Sequence, residues 1–157
     1  MSGFYIKGLP LSEFSPLFGL TTEVLAQRNI LRQVVTCKPG FPCRVSLQDA
    51  EPGESVLLIN YEHHAVANPY RSRHAIYVRE NAEEVQLAVN EVPLLLRHRL
   101  LSLRCFDHQG MMLDADVTEG QHLEAAIRSL FKERNIAYLH IHNAKPGCYA
   151  ARVDRVG

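Results

Sequence analysis

The clearest periodicity in the chain lies near its end. In HLEAAIRSLFKERN (122–135), Leu123, Ala126, Ile127, Leu130 and Phe131 recur at spacings of three and four, with Glu124, Arg128 and Lys132 opposite. That stripe predicts an amphipathic helix. The period then changes to two. In IAYLHIH (136–142), Ala137, Leu139 and Ile141 alternate with Tyr138, His140 and His142, and in CYAARVD (148–154), Ala151 and Val153 alternate with Arg152 and Asp154. Alternation predicts strands, and NAKPG (143–147) between them predicts the turn of a hairpin.

Upstream, FYIK (4–7) predicts a short strand, and LTTEVLAQRN (20–29) a short helix with a Thr cap and Glu23 in its first turn. Two prolines and a glycine make VTCKPGFPC (35–43) a rigid loop. RVSL (44–47) and SVLLINYE (55–62) read as strands separated by the turn-rich QDAEPGE, and the all-apolar VLLI places the second inside a sheet. HHAVANPYRSRH (63–74) reads as a loop before the strand AIYVRE (75–80). EVPLLLRHRLLSLRCFD reads as a helical turn leading into a strand at 100–106, and GMMLDADVTEG as a further strand after the HQG turn (108–110). Strand follows strand without a steady βαβ rhythm. The expectation is one α+β domain over residues 1–157, with a mixed or mostly antiparallel sheet and two or three helices.

Composition narrows the function classes. Lys plus Arg and Asp plus Glu each number 17 in 157 residues, and this balance argues against nucleic-acid binding, which calls for a basic excess. Lysine stands only at Lys7, Lys38, Lys132 and Lys145, so arginine supplies most of the positive charge; its fork suits carboxylates and phosphates. The longest apolar runs, VLLI and VPLLL, fall far short of the roughly 20 residues that span a bilayer, and MSGFYIKGLP lacks the pattern of a signal peptide. The expected location is the cytoplasm, away from membranes. Cys37, Cys43, Cys105 and Cys148 are then expected as thiols, and none forms a C-x-x-C pair.

Three turn-flanked segments concentrate the candidate chemistry. In HIHNAKPGCYAARVDR (140–155), His140 and His142 point to one strand face, where they can chelate a metal if a third ligand approaches. His63, His64, His74 and Asp154 are candidates for that ligand. Both imidazoles can equally serve as hydrogen-bonding core residues. Cys148 stands across the turn from His142, as a nucleophile stands beside its base, or else it is an inert buried thiol. Asn143 suits the turn itself, and Arg152 offers either an anion contact or a cross-strand ion pair. In PGFPCR (39–44), Arg44 beside Cys43 would stabilise a thiolate, although Pro and Gly also mark purely structural loops. In NPYRSRH (68–74), Tyr70 and Arg71 can clasp an anionic group. Asp49, Glu51 and Glu54 lie in a Gly/Pro loop, as general bases or as solvated turn residues.

Together, PGFPCRVSLQDAEPGE (39–54), LLINYEHHAVANPYRSRHAIYVRE (57–80) and HIHNAKPGCYAARVDR (140–155) resemble the bacterial family known as domain of unknown function 1203. The resemblance covers nearly the whole chain and implies a small stand-alone bacterial protein. It brings no reaction and no cofactor. Cys43, Arg44, Asp49, Tyr70, Arg71, His142, Asn143, Cys148 and Arg152 match its pattern, without roles attached.

The leading functional expectation is an enzyme, or former enzyme, with a pocket for a small anionic ligand. Arg44, Asp49, Tyr70, Arg71, Asn143 and Arg152 would bind the ligand, Cys43 or Cys148 would be the nucleophile, and His142 its base. One alternative is a non-catalytic module that dimerises through the apolar stretch around 92–103. Another is a metal protein using His140 and His142.

Overall fold

The structure, a computed structural model, describes residues 3–157. In chain order the elements are β1 (Phe4–Lys7), α1 (Thr22–Gln27), β2 (Leu31–Val34), β3 (Ser55–His64), β4 (Ser72–Arg79), α2 (Leu94–Arg97), β5 (Leu100–Phe106), β6 (Met112–Glu119), α3 (Leu123–Leu130), β7 (Tyr138–Asn143) and β8 (Tyr149–Arg155). The strands form two antiparallel sheets, a five-stranded one in the order β1-β8-β7-β5-β6 and a three-stranded one in the order β2-β3-β4. The class is α+β, as the strand-rich pattern predicts. The single sheet of the sequence reading is divided in two.

Local chemistry explains the elements. The Thr21 hydroxyl accepts the Val24 N–H at 3.2 Å and caps α1. Gly147, at φ +81°, closes the β7–β8 hairpin, with its N–H donating to the Asn143 carbonyl at 2.8 Å. The stripe on α3 buries Leu123, Ile127 and Phe131 against Leu139 and Ile141 of β7, Val153 of β8, and Leu101 and Leu103 of β5. Each fully buried apolar side chain of this kind contributes about 1.5–3 kcal/mol. A second apolar cluster joins α1 to the smaller sheet through Leu25, Leu57, Ile59, Ile76 and Val78.

Local expectations are corrected at three segments and one strand goes unforeseen; the loop read over 63–74 is confined to its middle, because His63 and His64 belong to β3 and residues 72–74 to β4. RVSL (44–47) is a turn, not a strand. Arg44 and Ser46 are buried together with Val45 and Leu47, so the apparent alternation has no solvent side. The Leu47 N–H folds back onto the Cys43 carbonyl at 3.0 Å. Strand β2 went unforeseen because it is an edge strand, with Leu31 and Val34 exposed and no apolar alternation. The helix expected over 122–135 is confined to Leu123–Leu130.

In the stretch around 92–103, Val92, Leu95, Leu96, Leu101 and Leu103 are spent on the core, while Leu94 and Leu100 stay exposed. Among the described residues, no helix is long and apolar enough to cross a membrane.

Alternation on β7 positions the chemistry. Leu139 and Ile141 face α3, so His140 and His142 project from the opposite face. There they meet His63 and His64 at the end of β3 and His74 on β4. The two sheets thus touch through imidazole and phenol rings.

Candidate functional site

Two groups of candidate side chains lie near this junction. The first is a cleft of about 560 Å³ whose lining includes Arg44, Arg99, Lys145, His98, Asn143 and Cys148, with no Asp or Glu among the described residues. The size suits a small ligand. Arg44, 2% exposed, comes from the buried turn. Its Nε donates to the Tyr149 carbonyl at 2.8 Å, one Nη to the Pro42 carbonyl at 2.6 Å, and the other Nη to the Cys148 sulfur at 3.0 Å. No carboxylate lies within 4.0 Å of it among the described residues. Burial pushes the guanidinium pKa down, and the Cys148 sulfur counters that shift. The half-buried Cys148 sulfur also receives the Asn143 amide at 3.5 Å. A buried guanidinium without a carboxylate is expensive unless other groups satisfy it, so this corner favours the arrival of negative charge.

Asp49 holds the cleft wall. It receives two hydrogen bonds from Arg99, at 2.6 and 3.2 Å, and lies almost entirely out of solvent. Arg99, His98 and Lys145 were missed in the sequence reading. The basic run Arg97-His98-Arg99 beside a Pro-initiated helical turn was the available signal for two of them.

The second group is the histidine layer. One nitrogen from each of His63, His140 and His142 lies within 4.8 Å of those of the other two. His142 Nδ1 sits 2.9 Å from the Gly147 carbonyl, so it carries the proton and donates it. Its Nε2 then bears a lone pair, and that atom is buried with no protein partner among the described residues. The Nδ1 atoms of His63 and His140 are likewise buried without a protein partner among the described residues. A buried polar group left without a partner costs about 1–3 kcal/mol. His63 Nε2 lies 2.6 Å from His74 Nδ1. Tyr149 stacks on His63 with centroids 4.9 Å apart, which fixes the ring.

Burial, and then charge on neighbouring His74, His64 and Arg104, lowers the His63 pKa to about 3. Burial, then the neighbouring histidines and Arg152, lowers His140 to about 2. Burial lowers His142 to about 3, with its bond to Gly147 opposing and Arg104 reinforcing. All three imidazoles are neutral at pH 7. His64 differs, because both its nitrogens are used, by the Tyr70 carbonyl at 2.9 Å and the Tyr138 hydroxyl at 2.8 Å.

The remaining candidates lie apart from the cleft. Cys43 is fully buried, its sulfur receiving the N–H groups of Ser46 and Arg79. Arg71 pairs with Glu62 at 2.7 Å on the surface. Tyr70 is partly exposed, and its carbonyl is held by His64. Arg152 stacks 4.1 Å over the Tyr138 ring and pairs with Asp154. The hydrogen bonds of His142 include neither cysteine, and the partners of Cys148 are Arg44 and Asn143. The structure therefore gathers Arg44, Asn143 and Cys148, with Asp49 behind Arg99. It sets His142 in the histidine layer and the other candidates elsewhere.

No curated protein and no solved structure matches the chain. The family model for a protein of unknown function, DUF1203, matches residues 40–155, a span that takes in the buried Arg44 turn, the histidine layer and Cys148. The chain belongs to the DUF1203 family.

Proposed function

We propose that the protein binds a small anionic ligand, a carboxylate or phosphate, in the cleft over Arg44 and Cys148, and that Cys148 is the nucleophile the site offers. The observation that carries this reading is the buried Arg44 guanidinium whose sole side-chain hydrogen-bond partner among the described residues is the Cys148 sulfur. A ligand oxyanion entering beside the sulfur supplies the negative charge that the lining lacks. The nucleophilic form of a cysteine is itself an anion, which a guanidinium stabilises. The four cysteines are free thiols, which suits a reducing compartment such as the cytoplasm.

The test compares an anionic alkylating reagent with a neutral one. Iodoacetate and iodoacetamide each form an S–C bond and release iodide, and peptide mass spectrometry separates Cys148 from the exposed Cys37. Iodoacetate should be favoured over iodoacetamide at Cys148 relative to Cys37 by about tenfold, the low end of charge focusing in a cleft. Millimolar phosphate or succinate should slow it, and the more protective of the two identifies the ligand class. Equal reagent preference at both cysteines, with no protection by either anion, would overturn the proposal.

A further inference from the structure

The geometry points to a second site: we propose that His63, His140 and His142 bind one divalent ion of the zinc class between the two sheets. Three features carry this, and the three proposed ligands lie outside the cleft lining, although His74, the partner of His63, reaches it.

The first is convergence from two sheets. His140 and His142 come from one strand face of the larger sheet, and His63 from the end of β3 in the smaller. The His63 ring centroid lies 5.0 Å from that of His142 and 5.8 Å from that of His140. One nitrogen per ring falls within 4.8 Å of the others. Zinc–imidazole bonds of 2.0–2.1 Å in tetrahedral geometry set the nitrogens about 3.3 Å apart. Each nitrogen then moves inward by roughly 0.8 Å at most.

The second is the state of the nitrogens. His63 Nδ1, His140 Nδ1 and His142 Nε2 are buried and meet no protein partner among the described residues. Ordinary core histidines place both nitrogens, as His64 does. The third is the surrounding shell. Metal-binding histidines donate the far N–H to a carbonyl or another acceptor, which fixes the tautomer. His142 donates to the Gly147 carbonyl, and His63 Nε2 is 2.6 Å from His74 Nδ1, an acceptor when His63 carries the proton there.

Three neutral imidazoles with no carboxylate or thiolate among them suit zinc, cobalt, nickel or copper rather than magnesium or calcium. They also leave a fourth coordination position for water or an anion. Arg104 lies directly across from His140 in the β5–β7 pairing and so shares its sheet face, where its positive charge favours an anionic fourth ligand.

The experiment uses the full chain purified without a histidine tag, stripped with chelator and titrated with Co²⁺. One equivalent should bind with the visible absorption of a four-coordinate ion. X-ray absorption should count three imidazoles, and Zn²⁺ should displace the cobalt. His63→Ala and His142→Ala should each weaken binding by more than about 100-fold. His74→Ala, which keeps all three ligands but removes the partner of His63 and a ring packed on His142, should cost 10–100-fold. His98→Ala, His108→Ala and His122→Ala combined, all at exposed positions, should leave binding unchanged. Circular dichroism verifies that each variant folds. Where one does not, the parent titration and its imidazole count decide. Substoichiometric cobalt, fewer than three imidazoles, or binding that follows the exposed histidines would overturn the assignment. Cys148→Ser should leave cobalt binding intact, so failure here is separable from failure of the cleft proposal.

Discussion

Asp49→Asn isolates the ion pair that holds the cleft wall. Asp49 and Arg99 meet through two hydrogen bonds of 2.6 and 3.2 Å, with side-chain exposures of 5% and 18%. Opposite unit charges about 3 Å apart attract by about 5 kcal/mol at an effective dielectric of 20. Breaking a buried pair by removing one partner costs about 3–5 kcal/mol, because the other charge is stranded. Here Arg99 keeps some solvent and the Leu95 carbonyl at 2.5 Å, and the new amide oxygen still accepts one hydrogen bond. The expected loss is therefore about 2–4 kcal/mol, or roughly 5–15 °C in Tm for a chain of this size. A thermodynamic cycle through Arg99→Met and the double variant, read by urea unfolding at pH 7, separates the charge effect from packing. The double variant strands no charge, so its loss should fall short of the summed single losses by about 1.5 kcal/mol or more. The same substitution releases Arg99 toward the ligand. The weakened protein should thus bind phosphate more tightly, by less than about tenfold, or 1.4 kcal/mol. A coupling below about 0.5 kcal/mol, the scatter between independent sites, would refute the account of the wall.

Two further substitutions probe the frame around the site. Glu80 accepts from Arg32 at 2.7 and 3.0 Å and from the Ser55 hydroxyl, and these bonds hold its carboxyl below the usual range. A depressed carboxylate pKa stabilises the fold above the unfolded value near 4.3 and loses that effect as pH falls through the folded value. Glu80→Gln should cost about 1 kcal/mol at pH 7, after allowance for solvent screening. The gap in melting temperature between parent and variant should narrow as pH falls below the unfolded value, and a gap that stays constant down to the acid limit of folding would contradict the linkage. At Gly120, an added Cβ would fall 1.8 Å from the Leu96 carbonyl oxygen and 2.8 Å from the Arg97 carbonyl carbon, both backbone atoms with little freedom to shift. Gly120→Ala should lower stability by about 3 kcal/mol or more, seen as a lower urea midpoint at unchanged slope. An unchanged midpoint would show that α2 yields more readily than its packing implies.

Local pattern made most of the elements legible. Period two located β7 and β8, period three to four located α3, and FYIK and LLSLRCF matched β1 and β5 residue for residue. The failures occur where local pattern carries no information about the far side of an element. Arg44 and Ser46 look like the solvent side of a strand, and only the packing of the turn beneath Tyr149 and Tyr77 shows that both are buried. The division into two sheets was equally hidden. So was the pairing of β1 with β8 across the length of the chain, with Phe4 opposite Arg155, since nothing in either segment names the other.

The candidate sites follow the same logic. Alternation placed His140 and His142 on one face, yet their third companion comes from a strand far up the chain in the other sheet, and His63 carries no local mark that separates it from His64. The structure separates them by their partners. His64 spends both nitrogens on protein groups, whereas His63 leaves one buried and unpartnered. On the opposite face of β7 the chain uses Leu139 and Ile141, the ordinary solution for a buried strand. Arg44 departs from the ordinary solution in the cleft, since a buried guanidinium ordinarily faces a carboxylate and this one faces a thiol. At functional or strained sites, departures of this kind from local rules are expected. Sequence reveals the residue types capable of breaking them; burial shows which ones do.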